Sequence, residues 1–122
     1  MEKNDRLSFP KRLRLSKASD YRQVFNNNFP IGDASLTMLV RSRPGTNSRL
    51  GFAVARKQIQ KAVLRNRIKR VIRESFRINQ HRLPDRDMVI IVRRPILLLD
   101  GPELNSKLEK HWNSVIKKCE KF

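Results

Sequence analysis

Residues Ala62–Arg77 have the sequence AVLRNRIKRVIRESFR, and their side chains alternate between apolar and basic with the period of a helix. An amphipathic helix of about Ala62 to Gln80 is predicted. Its apolar face contains Leu64, Ile68, Val71, Ile72, Ile78 and, at the border, Phe76. Its basic face contains Arg65, Asn66, Lys69, Arg70, Arg73 and Arg77, with Arg67 at the far edge. Solvated faces normally mix acids with bases, whereas here only Glu74 interrupts the positive charge, so an anionic partner is predicted.

The whole chain has a large excess of positive charge. It contains 28 Lys and Arg against 11 Asp and Glu in 122 residues, a formal net charge of +17. Such a surplus repels itself unless a polyanion neutralises it, and nucleic acid is the commonest such partner. Arg outnumbers Lys by 17 to 11, and no Arg follows Arg94. Because guanidinium groups bind phosphates in pairs and stack on bases, the first three quarters of the chain are predicted to form the recognition surface.

The length predicts one domain over residues 1–122, with a basic N-terminal arm of about residues 1–15. The polar start Met1–Asp5 does not resemble a signal peptide, and the apolar runs Met88–Val92 and Ile96–Leu99 are too short to span a bilayer. Cys119 is the single cysteine, so no internal disulfide can form. A soluble cytoplasmic protein without a membrane partner is expected.

Periodicity and turn residues predict the other elements. Ser16 is expected to cap a helix that ends near Asn27. Strands are expected at Ser35–Arg41, Arg49–Arg56 and Met88–Arg93. The buried side of a last helix is expected to contain Leu104, Leu108, Trp112, Val115 and Cys119. This is a mixed α and β pattern in which a helix joins two strands.

One predicted strand has small side chains on one face. Gly51, Ala53 and Ala55 lie opposite Leu50, Phe52 and Val54. Side chains this small would leave a trough in which the backbone or bases of single-stranded nucleic acid could approach the sheet. The strand Ser35–Arg41, expected to be its neighbour, would present Thr37, Leu39 and Arg41 to the same side. Tyr21 and Phe25 would flank the trough; Phe25 is equally consistent with a core residue, whereas the polar tip of Tyr21 favours the trough.

The string Arg65-Asn66-Arg67-Ile68-Lys69-Arg70 resembles the RNR signature of the bacterial ribonuclease P protein subunit. Arg73-Glu74 follows it, and Lys57 and Ala62 precede it. Other matching pieces occur in order along the chain: Phe9-Pro10, Leu13, Asp20-Tyr21, Val24-Phe25, Arg49-Leu50-Gly51 and Asp87 before an apolar strand. The resemblance covers essentially the whole chain.

The resemblance implies an α+β fold: a single-domain α/β sandwich with a mixed sheet of about four strands and about three helices. The basic helix would make a left-handed βαβ crossover, against the usual right-handed rule, in a ribosomal-protein-like fold. The implied function is to assist a catalytic RNA in removing the 5′ leader from precursor tRNA. Catalysis would belong to the RNA of this endoribonuclease, and the chain alone is expected to have none.

The resemblance also implies roles for particular residues. Those facing the ribozyme would be Lys57, Lys61, Arg65, Asn66, Arg67, Lys69, Arg70 and Arg73. The precursor tRNA leader would contact Tyr21, Phe25, Thr37, Leu39, Arg41, Ala53 and Ala55. The basic arm would add Lys11, Arg12 and Arg14. One protein per catalytic RNA is expected, with Mg²⁺ serving the RNA and no metal or cofactor at a recognisable protein site.

Three other classes of function are weighed against this interpretation. A protein nuclease needs clustered carboxylates or paired histidines, whereas His81 and His111 have no recognisable partner, and Asp85 and Asp87 suit a turn. A structural RNA-binding protein, such as a ribosomal protein, has similar size and charge. A membrane-active helix is disfavoured because the basic helix lies between strands and lacks an interfacial Trp. The extended RNR string and the trough favour the ribozyme cofactor.

Overall fold

The computed structural model describes residues 11–120, which form three α-helices and one four-stranded sheet. The helices are α1 (Ala18–Asn26), α2 (Ala62–Asn79) and α3 (Gly101–Cys119). The strands are β1 (Asn28–Gly32), β2 (Leu36–Arg41), β3 (Arg49–Val54) and β4 (Asp87–Val92). Short 3₁₀ helices occur at Lys11–Leu13 and Arg94–Leu98. No helix within residues 11–120 has the length and apolar character needed to cross a membrane.

The strand order in the sheet is β1-β2-β4-β3. β4 pairs antiparallel with β2 and parallel with β3, so α2 connects two adjacent parallel strands as a βαβ crossover. The left-handed sense of that crossover stays a prediction from the resemblance. The expectation that β2 and β3 are direct neighbours is wrong, because β4 lies between them. The nearly continuous apolar sequence of β4 suits this central place, where both faces of a strand are buried.

β1 has no counterpart among the predicted strands. It contains Pro30 and Gly32, which usually interrupt strands, but Pro is tolerated at the edge of a sheet. The predicted cap of the first helix is also wrong. α1 begins at Ala18, and its N-cap residue is Lys17, which makes no side-chain capping hydrogen bond.

The predicted basic arm is only partly described. Residues 1–10 lie outside the described part of the chain, but Leu13 and Leu15 are buried and Arg14 forms a parallel bridge with Leu50 of β3. The Leu15 N–H also donates to the Leu50 carbonyl at 3.0 Å. This part of the arm packs along the outer edge of β3, and its two leucines belong to the two cores.

The sheet separates two hydrophobic cores, which makes the domain a three-layer sandwich. On one face, α2 and α3 pack against the sheet, and the Phe76 and Trp112 rings meet edge to face with centroids 5.9 Å apart. On the other face, Val24 of α1 packs against Leu15 and Val89 in a smaller core. Tyr21, Leu39 and Ala53 border this smaller core. The mixed sheet with helices on its faces confirms the expected α+β sandwich.

The buried face of α2 differs from the prediction at its two borders. Phe76 is fully buried, whereas Ile78 is 57% exposed. These residues lie on opposite edges of the same apolar stripe, and the Trp112 ring of α3 packs against Phe76. Ser75 and Asn79 are buried as well, and the Ser75 Oγ accepts the Trp112 indole N–H at 2.8 Å. Tertiary packing, which helical periodicity does not specify, therefore sets the position of the stripe.

Candidate nucleic-acid interface

The predicted trough is open only at its Ala53 and Ala55 end, because the Tyr21 ring of α1 covers Gly51. The register places Gly51 beside Val89, and Ala53 beside Ile91, so small side chains of β3 lie next to the branched ones of β4. Where these strands end, a shallow hollow of about 460 Å³ is lined by Ala53, Val54, Ala55, Gln58, Ile91, Val92 and Arg93. The hollow is open to solvent, and its floor is mainly aliphatic.

Tyr21 of α1 lies directly on Gly51. A Cβ added at Gly51 would lie only 2.6 Å from the Tyr21 Oη, so this close contact depends on the missing side chain. The same oxygen accepts the backbone N–H of Phe52 at 3.3 Å. Tyr21 therefore fastens α1 to β3 and borders the groove with a half-buried ring.

Phe25 is the more available aromatic side chain. It is 47% exposed, while its neighbour Val24 is fully buried and supplies the core contact of α1. The alternative that Phe25 is a core residue is therefore wrong. An exposed aromatic ring of this kind suits base stacking.

An ion-pair network connects α1 to the sheet at the other end of the groove. The Arg49 guanidinium donates to both Asp87 carboxylate oxygens at 2.8 and 2.7 Å, and to Asp20 Oδ2 at 3.4 Å. The hydrogen bonds to Asp87 raise the pKa of Arg49. Arg41, predicted to contact the leader, lies 4.0 Å from Asp87, so the network already engages part of its charge.

The remaining predicted groove residues lie on β2, across β4 from β3. Leu39 borders the smaller core, and the Thr37 hydroxyl accepts a hydrogen bond from Arg93 at 2.9 Å. Arg93 was not predicted as a site residue, although a basic residue directly after a buried strand was a usable signal. It places a cation at the rim of the hollow.

The basic face of α2 lies on the solvent side of that helix. Asn66, Arg67 and Arg70 are exposed, and Lys69 is half-buried. Arg73 is also half-buried, with its guanidinium carbon 5.2 Å from the centroid of the Phe52 ring. Burial lowers the pKa of Arg73, and the nearby Arg14 adds to that effect. Arg73 thus joins the basic face of α2 to the β3 edge.

Arg65, predicted to face the ribozyme, also forms hydrogen bonds within the protein. Its guanidinium donates to the carbonyl oxygens of Ile59 and Gln60 at 2.7 and 2.8 Å, in the loop before α2. Lys57 and Lys61, on the same loop, are exposed. Of the basic-arm residues, Lys11, Arg12 and Arg14 are exposed near the β3 edge, and the Arg12 carbonyl accepts a hydrogen bond from Asn47.

One histidine has a partner that the sequence did not indicate. The Nε2 atom of the buried His111 is 3.5 Å from Asp33 Oδ2, in the turn between β1 and β2. Burial lowers the pKa of His111, and Asp33 offsets this only partly, so the pair is not an ion pair at neutral pH. Within residues 11–120, no three His, Cys, Asp or Glu side chains are grouped as metal ligands.

A shallow hollow on one face of the sheet and a helix with a basic outer face on the other are typical of a nucleic-acid-binding α+β protein. The family model described as ribonuclease P matches residues 9–116. A ribonuclease P protein component from Pseudoalteromonas atlantica is 42% identical over 114 residues, which cover 93% of this chain and 95% of that relative.

Solved structures agree with this match. The Staphylococcus aureus RNase P protein superposes with a TM-score of 0.75 at 25% identity, covering 83% of this chain and 93% of that one. The Thermotoga maritima RNase P protein has a TM-score of 0.70 at 31% identity, covering 85% and 96%. The chain therefore belongs to the ribonuclease P protein family. It assists the RNA subunit of this endoribonuclease in processing the 5′ end of tRNA.

Proposed function

We propose that this chain binds the 5′ leader of precursor tRNA in the groove between α1 and the sheet, while the outer face of α2 binds the catalytic RNA. One protein would serve one RNA, in the cytoplasm. The observation that carries the proposal is the open hollow at the ends of β3 and β4, which is lined by Ala53, Ile91 and Arg93. Phe25 of α1, the helix on this face of the sheet, adds an exposed aromatic side chain.

The shape and chemistry of the groove favour a single strand. A floor made of Ala53 and Ile91 admits a flat base or a sugar, and Phe25 offers a ring for stacking. Arg93 at the rim would contact a phosphate. The network of Arg49, Asp87 and Asp20 holds α1 at a fixed height above the sheet, so the groove exists before RNA binds.

The outer face of α2 has the charge expected of a surface that binds structured RNA. Asn66, Arg67 and Arg70 project into solvent along one side of the helix. The single acid of this region, Glu74, is paired with Arg77. The face therefore presents cations to phosphates, and Arg73 extends this face to the Phe52 ring of β3.

These two surfaces explain how the protein would assist a catalytic RNA. Substrate with a leader would contact both the protein and the RNA, whereas mature tRNA would contact only the RNA. The difference in affinity favours precursor over product. Protein cations near the RNA would also reduce phosphate repulsion, so less Mg²⁺ would be needed by the RNA.

A reconstitution tests this function. The protein, a bacterial ribonuclease P RNA and end-labelled precursor tRNA are combined at low Mg²⁺, and wild type is compared with Arg67→Ala/Lys69→Ala. We expect correct 5′ cleavage that requires the protein and is weaker with the variant. Lys110→Ala/Lys117→Ala removes two exposed charges from α3 and is the matched control. Equal losses in both variants would indicate a general charge effect, and no stimulation by folded wild type would overturn the proposal.

A further inference from the structure

The loop that connects β3 to α2, residues 55–61, contains no Pro to restrict its backbone. It begins with a turn in which the Ala55 carbonyl accepts the N–H groups of Gln58 and Ile59 at 3.0 and 3.2 Å. The Ile59 side chain is 1% exposed and anchors the middle of the loop in the larger core. Lys57 and Lys61 remain exposed on either side of that anchor.

Two arginines bind four successive carbonyl groups of this loop. Arg94, in the 3₁₀ helix after β4, donates from Nη2 to the Lys57 carbonyl at 2.8 Å and from Nε to the Gln58 carbonyl at 3.3 Å. Arg65 donates hydrogen bonds to the next two carbonyls, those of Ile59 and Gln60. The Gln58 side chain also binds Arg94: its Oε1 accepts the Arg94 backbone N–H at 3.0 Å.

This arrangement has an electrostatic consequence. Carbonyl oxygens that pointed outward would present partial negative charge to an approaching phosphate. Here each of the four is turned towards a guanidinium group. The ammonium groups of Lys57 and Lys61 therefore extend from a backbone whose negative dipoles are already satisfied by cations.

We infer that Arg94 is a positioning residue for the ribonuclease P RNA: with Arg65, it fixes residues 57–60 so that Lys57 and Lys61 meet the phosphates. The inference rests on the proposed function, in which those two lysines contact the catalytic RNA. Arg94 is itself exposed, so a direct phosphate contact is the competing explanation. The two explanations make different predictions for Arg94→Lys. One ammonium group can still contact a phosphate, but it does not reproduce the guanidinium fork that spans two carbonyls.

The first measurement is amide hydrogen exchange at residues 57–61 in the free, full-length protein. We expect faster exchange in Arg94→Ala, Arg94→Lys and Gln58→Ala than in wild type, while β2 and α3 keep their protection. Gln58→Ala is informative because it removes the Arg94 backbone contact without changing charge. Unchanged loop exchange in all three variants would overturn the inference.

The second measurement is the affinity for ribonuclease P RNA over a series of KCl concentrations. For a positioning residue, Arg94→Ala and Arg94→Lys should weaken binding alike, by about tenfold, as for coupled neighbours. Lys57→Ala should weaken RNA binding when it is made in the wild-type protein. The same substitution should weaken binding much less when it is made in Arg94→Ala. A phosphate contact instead predicts that Arg94→Lys retains most of the affinity and that the losses from Lys57→Ala and Arg94→Ala add.

A second double-mutant cycle, of Arg43→Ala with Lys57→Ala, controls for general charge effects. Arg43→Ala removes an exposed arginine from the loop after β2, and its effect should add to that of Lys57→Ala. If Lys57→Ala and Lys61→Ala both leave affinity unchanged, the proposed loop contact fails and the inference fails with it. If they weaken binding but show no coupling to Arg94, only the inference about Arg94 fails.

Discussion

Among single residues, Gly51 has the tightest environment in the groove. Its Cα faces the Tyr21 ring so closely that the ring would collide with any side chain there, at 2.6 to 2.9 Å from an added Cβ. The glycine is therefore required by the approach of a neighbouring side chain, since its own backbone does not adopt a positive φ.

Gly51→Ala is expected to displace Tyr21 and break its hydrogen bond to the Phe52 N–H. Overpacking of this kind costs about 1–3 kcal/mol of unfolding free energy, which urea denaturation would measure. We also expect a smaller preference for precursor over mature tRNA. Gly101→Ala is the control, because an added Cβ there meets nothing within 4 Å, and it should be close to neutral. Equal stability of the two variants would contradict the close contact.

Phe25→Ala tests stacking in the groove without disturbing the core, because the ring is 47% exposed. Loss of one stacked base costs about 1–3 kcal/mol, so the affinity for precursor tRNA should fall about tenfold in the reconstituted complex. The affinity for mature tRNA should not change. Ile78→Ala removes an apolar side chain of similar exposure from α2, outside the groove, and serves as the control. An equal loss for both tRNAs would argue against a leader contact.

His111 predicts a pH dependence of stability. Its buried imidazole has a lowered pKa, so between about pH 7 and pH 5 the unfolded chain takes up a proton before the folded one. Burial alone would raise the pKa of Asp33, but hydrogen bonds from Lys107 and Ser35 hold it well below its usual range. Asp33 therefore stays ionised throughout this window. The stability should fall as the pH falls.

The measurement is a series of thermal melts over this pH range. His111→Gln should have a melting temperature that depends less on pH than that of wild type. His81→Gln removes an exposed histidine and should keep the wild-type dependence. A wild-type melting temperature that rises on acidification would show that the charged form of His111 is the favoured one in the folded protein.

Between elements, the contact of α2 with α3 includes one buried hydroxyl. Ser75 Oγ accepts the Trp112 Nε1–H, and Trp112 is fully buried. In Ser75→Ala the indole N–H would have no acceptor at this position, at a cost of about 1–3 kcal/mol. Ser114→Ala removes an exposed hydroxyl from α3 and should change stability by about 0.5 kcal/mol at most. Chemical denaturation of both variants measures the difference, and a near-zero effect at Ser75 would contradict the importance of this bond.

The elements that were predicted correctly are those with a clear local pattern. α2, α3 and β2 bury side chains at the spacing that the sequence shows, and β3 and β4 form where the sequence places them. β1 was missed because its Pro30 and Gly32 lack strand propensity, and only pairing with β2 makes it a strand. The place of β4 between β2 and β3 is a long-range pairing, which no local pattern encodes.

The candidate site shows the same division. The small residues of β3 and the basic face of α2 could be identified, because each is a property of one element. The sequence did not show which arginines form hydrogen bonds within the protein. Arg49 and Arg65 form hydrogen bonds within the protein, and a guanidinium in the sequence does not reveal whether its acceptor is a phosphate or a carbonyl.

For the whole molecule, the net charge of +17 predicts RNA binding that weakens steeply with salt. Each phosphate neutralised contributes about 0.9 to the log–log slope for a duplex. Arg67→Ala should lower the slope by about that amount. Arg77→Ala should not, because Arg77 is paired with Glu74 on the same helix. Titrations at several KCl concentrations measure both slopes, and a flat wild-type response would contradict an electrostatic interface.

The two outer strands of the sheet have consequences for how copies of the protein behave at high concentration. At one border Pro30 has no N–H to donate. At the other border, the Leu50 carbonyl accepts the Leu15 N–H, and the Phe52 N–H donates to the Tyr21 hydroxyl. Neither border offers a full ladder to a strand from another molecule. Like-charge repulsion that keeps copies apart disappears once RNA neutralises them, and these blocked edges then remain as the protection against self-assembly into fibrils.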